Sequence, residues 1–358
     1  MFFKCPKCNK VWQYPIEKCP ECFLNLERIK SKNIKVIGVS KVTIPTMPHP
    51  SVPYFVLLLE DENGNKWVQK SIKEYKIGAA FGEPRSKGRD KFQVESFQNK
   101  NSVAIWRAKY DFLEPIEKLI ELLGGISINQ DSKILILPTL ISPTHPHFAQ
   151  NTRPEILDAL LKFLIKQGVN AKNISVASQS FNDFPIEACA KKSRLADIAA
   201  GYGVRLINLV EKGFQKENPG FEVTKLLSKN DLTINLPILK IDSKLGVKGA
   251  LYNLTKLLKK ESFESKKNTL GEEKLLTELK NALPKILTIA DGTKILKSNG
   301  MNTFLGVIMI SFNPLNLDRV FAEISMISLP EYLKSTKIEE IKVLGRKIKE
   351  IQYKVEEY

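Results

Sequence analysis

A chain of 358 residues is long enough for two or three domains and for burying about three quarters of its unfolded surface, so it needs no disulfide staple. Hydrophobic residues at 43% and charged residues at 26% exclude a disordered, collagen-like or low-complexity scaffold, and no apolar run approaches the roughly 18 residues of a membrane span. The formal charge of +16 invites nucleic acid, but the excess is diffuse and mostly lysine, whereas phosphate and base readout favour the forked guanidinium, so a solvated lysine coat is the first reading and nucleic acid the second.

Met1-Phe2-Phe3-Lys4-Cys5 runs straight into a cysteine motif without an apolar signal segment, and a cytoplasmic location is expected. Cys5-Pro6-Lys7-Cys8 and Cys19-Pro20-Glu21-Cys22 are two C-x2-C pairs separated by ten residues, close enough for a hairpin to bring four thiolates onto one ion. Tetrahedral, redox-inert zinc suits four sulfurs, and a closed set has no open position for substrate, so Cys5, Cys8, Cys19 and Cys22 are assigned to a structural zinc in a ribbon over residues 1–30. Iron of the rubredoxin type is the competing ion, and would make the protein an electron carrier. Cys189 has no companion and reads as a small buried hydrophobe.

Residues 31–108 read as a small β-barrel and linker. The stretches 34–44 and 54–60 are rich in Val, Ile, Leu and Phe, Asn63-Gly64 marks a hairpin before Trp67-Val68, and Pro45, Pro48, Pro50 and Pro53 punctuate the strands. Gly82 to Gly88 is polar and reads as a linker. Ribbon plus barrel resembles the rubredoxin-like zinc ribbon joined to an acyl-CoA-associated OB-fold. The matching stretches are Val52-Pro53-Tyr54-Phe55-Val56-Leu57-Leu58, Asp61-Glu62-Asn63-Gly64 and Lys76-Ile77-Gly78, within about residues 1–83. That resemblance implies an accessory or docking unit for a protein partner, a thiolase-like or other acyl-CoA enzyme, with a CoA thioester as a candidate ligand. An OB barrel equally holds single-stranded nucleic acid.

From residue 109 to 358 the period changes to that of an α/β domain. Strands are expected over 133–138, 174–177, 204–209, 231–236, 286–290 and 304–311, and helices over 154–167, 194–202 and 315–326, which predicts a mainly parallel sheet covered on both faces, an α/β sandwich. The lysine-rich stretch Lys259 to Lys274 reads as a solvated loop. In such sheets ligands sit beyond the carboxyl ends of the strands. There the sequence places Thr152 and Arg153 in a Thr152-Arg153-Pro154-Glu155 capping box, Lys240 and Asp242, a Gly246-Val247-Lys248-Gly249 turn before Asn253, and Asp291-Gly292. Arg153, Lys240, Lys248 and the amides near Gly249 are candidate anion ligands together with Thr152 and Asn253, and Asp242 or Asp291 a candidate general base. His145 and His147 could reach one metal, though Pro143 and Pro146 suggest a rigid turn.

The same domain resembles the uncharacterised family called domain of unknown function 362 over roughly residues 110–350. The resemblance is carried by Ile136-Leu137-Pro138-Thr139, Thr152-Arg153-Pro154-Glu155-Ile156, Thr233 to Lys240, Gly246 to Leu254, Ala290-Asp291-Gly292 and Asn313 to Asp318. Where that family reads Lys-Pro-Asn and Lys-Thr-His, this chain has Leu137-Pro138-Thr139 and Lys240-Ile241-Asp242, so histidine-dependent chemistry does not carry over. Asn151-Thr152-Arg153-Pro154 is also similar to the step opening the first helix of nickel-pincer lactate racemases, which implies a small hydroxy acid as ligand. The expected function is binding of a small anionic metabolite, an acyl-CoA or a hydroxy acid, by the α/β domain.

Overall fold

The computed structural model describes residues 2–13, 18–29, 31–44, 54–71, 74–81, 101–182, 184–217, 220–284 and 286–355. The chain divides into two units, Met1–Gly88 and Arg89–Tyr358. The expected linker 82–88 lies outside the described residues, as do the expected barrel prolines at 45, 48, 50 and 53.

In the smaller unit, β1 (Phe2–Lys4) lies between β2 (Val11–Trp12) and β3 (Glu27–Ile29), antiparallel to both. Strands β4 (Lys35–Val42), β5 (Tyr54–Glu60) and β6 (Lys66–Ser71) form an antiparallel meander. Its core is Val36, Phe55, Leu57 and Leu59, the alternate residues of β5 supplying one buried face. The β5–β6 connection is organised by Asp61, whose Oδ1 accepts from the amides of Asn63 and Asn65, each at 2.9 Å. Gly64 takes φ 77°, which a side chain would resist. Among the described residues this sheet has three strands and does not close, so the OB-type barrel is not formed by them. Strand propensity is local, whereas barrel closure needs partners far along the chain.

The larger unit is a three-layer α/β sandwich. Its strands are β7 (Ser102–Arg107), β8 (Ile134–Pro138), β9 (Ile174–Ser178), β10 (Arg205–Asn208), then a β11 (Phe214–Glu217) and β12 (Phe221–Thr224) hairpin, β13 (Leu232–Leu236), β14 (Ile238–Asp242), β15 (Gly246–Val247), β16 (Leu287–Leu296), β17 (Asn302–Ser311) and β18 (Lys342–Gly345). The large sheet has the order β10-β9-β8-β13-β16-β17-β7-β18, parallel from β10 to β16 and antiparallel across β17. It includes β7, which precedes the expected boundary at residue 109.

Along β8, Ile134 and Ile136 enter one core while Leu135 and Leu137 enter the other, as a doubly covered strand requires. The first core is roofed by α1 (Leu113–Leu122), α2 (Pro154–Lys166), α3 (Ile186–Lys192) and α4 (Leu195–Gly201). In α2, Ile156, Leu157, Leu160, Leu161 and Leu164 form the apolar stripe, and Pro154 at the first helical position fixes its start. After α5 (Leu209–Lys212), the second core is covered by α6 (Ala250–Asn253), α7 (Lys260–Leu270), α8 (Glu272–Ala282) and α9 (Pro314–Ser325). The expected loop at Lys259 to Lys274 is therefore mostly helix, anchored by buried Phe263 and continued by the Leu275, Leu276 and Leu279 stripe.

Pro237 sets up the site. Strands β13 and β14 both run parallel to β16, one on each side of this residue, whose missing N–H interrupts the ladder while its carbonyl accepts from Asp291 N at 2.8 Å. Because β8 ends opposite Leu236, β14 projects past it as an overhang. Leu239 and Ile241 turn into the second core, while Lys240 reaches Gln150 O in the segment before α2.

Candidate functional site

At the carboxyl ends of β8 and β13 a fully buried polar network ties four chain segments together. Thr139 N donates to Thr152 Oγ1 at 2.8 Å, and Thr152 Oγ1 donates to Leu236 O at 2.6 Å. Thr139 Oγ1 donates to Asn253 Oδ1 at 2.8 Å, while Asn253 Nδ2 donates to Leu137 O at 3.1 Å and Asn235 Oδ1 at 2.8 Å. Asn235 Nδ2 reaches Ala250 O at 2.8 Å. Thr152 therefore does not cap α2: the capping position is Arg153, whose side chain makes no cap bond. Thr152 and Asn253 hold strand ends in place, which is a scaffolding role for two residues expected to meet an anion.

The Gly249 turn also differs from the open cradle expected. The amides of Ala250 and Leu251 donate to the two carboxylate oxygens of Asp318 at 2.6 and 2.9 Å. A Cβ at Gly249 would lie 2.3 Å from Asp318 Oδ1, so glycine is required by this approach. The anion in the amide nest is the protein's own. Burial pushes the Asp318 carboxyl up to about 7, against the stabilising pull of the Leu251 and Ala250 amides.

Two carboxylates expected as bases have partners. Asp242 Oδ2 lies 2.7 Å from Lys248 Nζ, and its Oδ1 accepts from the amides of Leu245 and Lys244 at 2.9 and 3.0 Å. Burial works to raise Asp242, but the Lys248 bond and these amides outweigh it and hold the carboxyl below its usual range. Asp291 is fully buried, and there burial wins over the Arg153 charge and the Thr293 bonds, so its carboxyl is raised. Its Oδ2 has no hydrogen-bond partner and faces Arg153 Nε at 3.7 Å.

The cations are less satisfied. The Arg153 guanidinium stacks on the Phe112 ring at 4.8 Å, with Nε 3.5 Å from Glu155 Oε2, and among the described residues its two terminal nitrogens meet no hydrogen-bond acceptor. Lys240 is 7% exposed, and among the described residues its Nζ meets one acceptor, Gln150 O at 2.6 Å, and no carboxylate in salt-bridge range. Burial first, then repulsion from Lys256 and Lys248, brings the Lys240 amine down to about 7. Arg153 thus meets Asp291, while Lys240 meets Gln150 in the segment that leads to Arg153, and Asp291 pairs with Ile238 on the strand that carries Lys240. Phe112 and Glu155 also line an adjoining cleft of about 380 Å³ with Asp158, Lys162 and Arg194.

Residues 134–323 match the family model described as Domain of unknown function (DUF362). The chain belongs to that family. No curated protein matches it. Among solved structures, the lactate racemase apoprotein from Thermoanaerobacterium thermosaccharolyticum is similar at 14% identity with a TM-score of 0.35, over 68% of this chain and 58% of that one. The chain thus spans less than two thirds of that protein.

Lys240, Arg153, Asp291, Asp318 and the Thr139–Asn253 network all fall inside the DUF362 span. Sequence reasoning missed Lys256, which is 8% exposed, sits 3.7 Å over the Phe181 ring and is brought down to about 7 by burial and by Lys260. It also missed Gln179, whose Nε2 donates to Lys256 O and Leu258 O at 2.6 and 2.7 Å while its buried Oε1 has no partner. His145 Nδ1 accepts from His147 N, and His147 Nδ1 lies 3.2 Å from Lys294 Nζ. A cation beside that imidazole opposes a second one, which weighs against a metal on this loop.

Outside the DUF362 span, the sulfurs of Cys5, Cys8, Cys19 and Cys22 all lie within 4.8 Å of one another. Each C-x2-C forms the same knuckle: Asn9 N donates to Cys5 O at 3.0 Å and Phe23 N to Cys19 O at 2.9 Å. Asn9 and Phe23 both take left-handed φ, 58° and 57°. A tetrahedron of sulfurs about 2.3 Å from a central ion has edges of about 3.8 Å. Cys8 Sγ and Cys19 Sγ are 3.7 Å apart, so the four thiols fit a metal ion. No helix among the described residues is long and apolar enough to cross a membrane.

Proposed function

We propose that the α/β unit binds a small organic anion, a carboxylate of the hydroxy-acid or oxo-acid class, with Arg153 and Lys240 as its cations and Asp291 beside them. The observation that carries this reading is Lys240: a buried amine on an overhanging strand with a single backbone acceptor and no carboxylate. A buried cation without a counter-charge is costly, and an anionic ligand supplies the missing charge. The free terminal nitrogens of Arg153 offer a planar fork to a carboxylate. Lys248, engaged by Asp242, and the Gly249 turn, engaged by Asp318, shape the site from behind. An acyl-CoA is the larger ligand of the same charge, and belongs in the same test.

For the four-cysteine site we assign zinc, since a closed set of four thiolates suits an ion with no redox role and no open position. The ribbon and meander then act as a metal-stabilised accessory unit for a protein partner. The test of the anion site is calorimetric titration of the full chain with a 2-hydroxy acid, a 2-oxo acid and an acyl-CoA. Binding weakened at least about tenfold in both Lys240→Met and Arg153→Ala is expected, since each removes a charge-assisted contact. Unchanged affinity in both variants refutes the assignment.

A further inference from the structure

We infer that Lys240 is an amine nucleophile that condenses with the carbonyl of a bound 2-oxo acid to form an imine. The inference rests on the anion site just proposed and goes beyond it in naming the substrate class and a covalent step. Lys240 sits on the strand overhang at the mouth of the sheet, between the ends of β8 and β16 and under the segment that leads into α2. Its one acceptor, Gln150 O, takes a single N–H, which leaves the nitrogen lone pair of the neutral amine unused. Among the described residues no carboxylate fixes the nitrogen as ammonium, in contrast to Lys248, whose Nζ is bound to Asp242 at 2.7 Å. Burial, with the charges of Lys256 and Lys248, disfavours the ammonium form, and a desolvated lysine near other cations is an arrangement that activates an amine for attack on carbonyls.

A 2-oxo acid matches these groups in pairs: its carboxylate suits the open fork of Arg153, and its adjacent carbonyl suits the amine. In the step, the Nζ lone pair forms the C–N bond while the carbonyl π electrons move to oxygen. Both amine hydrogens then leave with that oxygen as water, giving the C=N bond. Asp291, which pairs with Ile238 on the strand that carries Lys240 and has Oδ2 unpartnered and its carboxyl raised by burial, is the group assigned to pass a proton to the departing oxygen and to take one from nitrogen. With its amine brought down to about 7, Lys240 offers far more free amine near neutral pH than an ordinary surface lysine, whose amine titrates near 10.4.

The experiment is reductive trapping. The full chain is incubated with pyruvate or glyoxylate and cyanoborohydride between pH 5 and 10, and the adducts are mapped by peptide mass spectrometry. One adduct per chain is expected, on Lys240, formed at least about a hundredfold faster than on any surface lysine at pH 7, with a rate that rises through a midpoint near 7. Lys240→Arg, which has no amine able to form an imine under these conditions, should lose this adduct. Wild-type protein that binds the oxo acid in calorimetry but traps nothing at Lys240, or labels surface lysines indiscriminately, overturns the imine and leaves the anion site standing. Protein that binds neither acid overturns both.

Discussion

Replacing Asp318 by Asn tests the origin of the filled amide nest. The carboxylate accepts from Ala250 N and Leu251 N and is wholly buried, with no cation in salt-bridge range among the described residues. Its folded value of about 7 stands above an unfolded carboxyl near 3.9, so between these limits the native state holds a proton that the unfolded chain releases. Stability from this group is therefore greatest in acid, falls as pH rises through that window, and is level above it. Linkage over the two values gives a loss of about 2.5 kcal/mol between pH 5 and pH 8. Asn cannot ionise but turns an NH2 toward one of two donors, a fixed cost of about 1 to 2 kcal/mol at any pH. Urea unfolding followed by Trp106 fluorescence, in a chain whose Trp12 and Trp67 are replaced by Phe, reads the larger unit. The Asn variant should be the weaker protein at pH 5 and gain about 2.5 kcal/mol relative to wild type by pH 8. Parallel losses in the two proteins across that range would refute the raised carboxyl and the argument built on burial.

Gly249→Ala places a methyl 2.3 Å from Asp318 Oδ1 and 3.0 Å from Leu239 Cδ2, and should cost about 1 to 3 kcal/mol in the same unfolding assay, as overpacking does; a neutral result would mean that the turn moves freely. Lys240→Met removes a buried cation whose cost is full below pH 7 and gone above the unfolded value near 10.4, so the variant should be more stable than wild type at pH 6 by up to about 4 kcal/mol, with the gap closing toward pH 10 in thermal scans. Cys19→Ser leaves three thiols around the ion; metal analysis should fall from one ion per chain toward none, and proteolysis should begin in the ribbon, because in domains this small metal binding supplies about 10 to 16 kcal/mol of the folding energy.

How much of this was legible depended on the range of the interactions. The knuckles are local: ligand spacing in Cys5–Cys8 and Cys19–Cys22 announces the metal site, and the structure adds only the left-handed Asn9 and Phe23 that close each turn. The continuous apolar run at Ile134–Leu137 and the 3.6-period stripe of α2 were equally plain, since burial on two faces or one leaves a direct imprint on composition. Composition misled at α7, where lysines outnumber the single buried Phe263 and the helix draws its place from tertiary packing. No strand is expected over 238–242 from the sequence, because Pro237 and the charges of Lys240 and Asp242 mimic a strand end; only pairing with β16 shows that the sheet continues. Asp318 meets its amides across 67 and 68 residues, a contact no spacing rule contains, so the Gly249 turn was read as an open cradle.

The treatment of buried charge separates the working groups from the scaffold. Asp318 has two amides, Asp242 has a lysine and two amides, and Lys248 has Asp242, so each of these ions is answered from within the protein. Lys240 has one carbonyl, Lys256 an aromatic face, and Arg153 a ring and two distant carboxylates. Since an unanswered buried charge costs several kcal/mol, a fold without a ligand gains nothing from keeping Lys240 and Lys256, and hydrophobic residues of similar volume would serve stability better. On the reading proposed above, an external anion would answer these charges, and the incomplete coordination of Lys240 is the place where it would meet the amine.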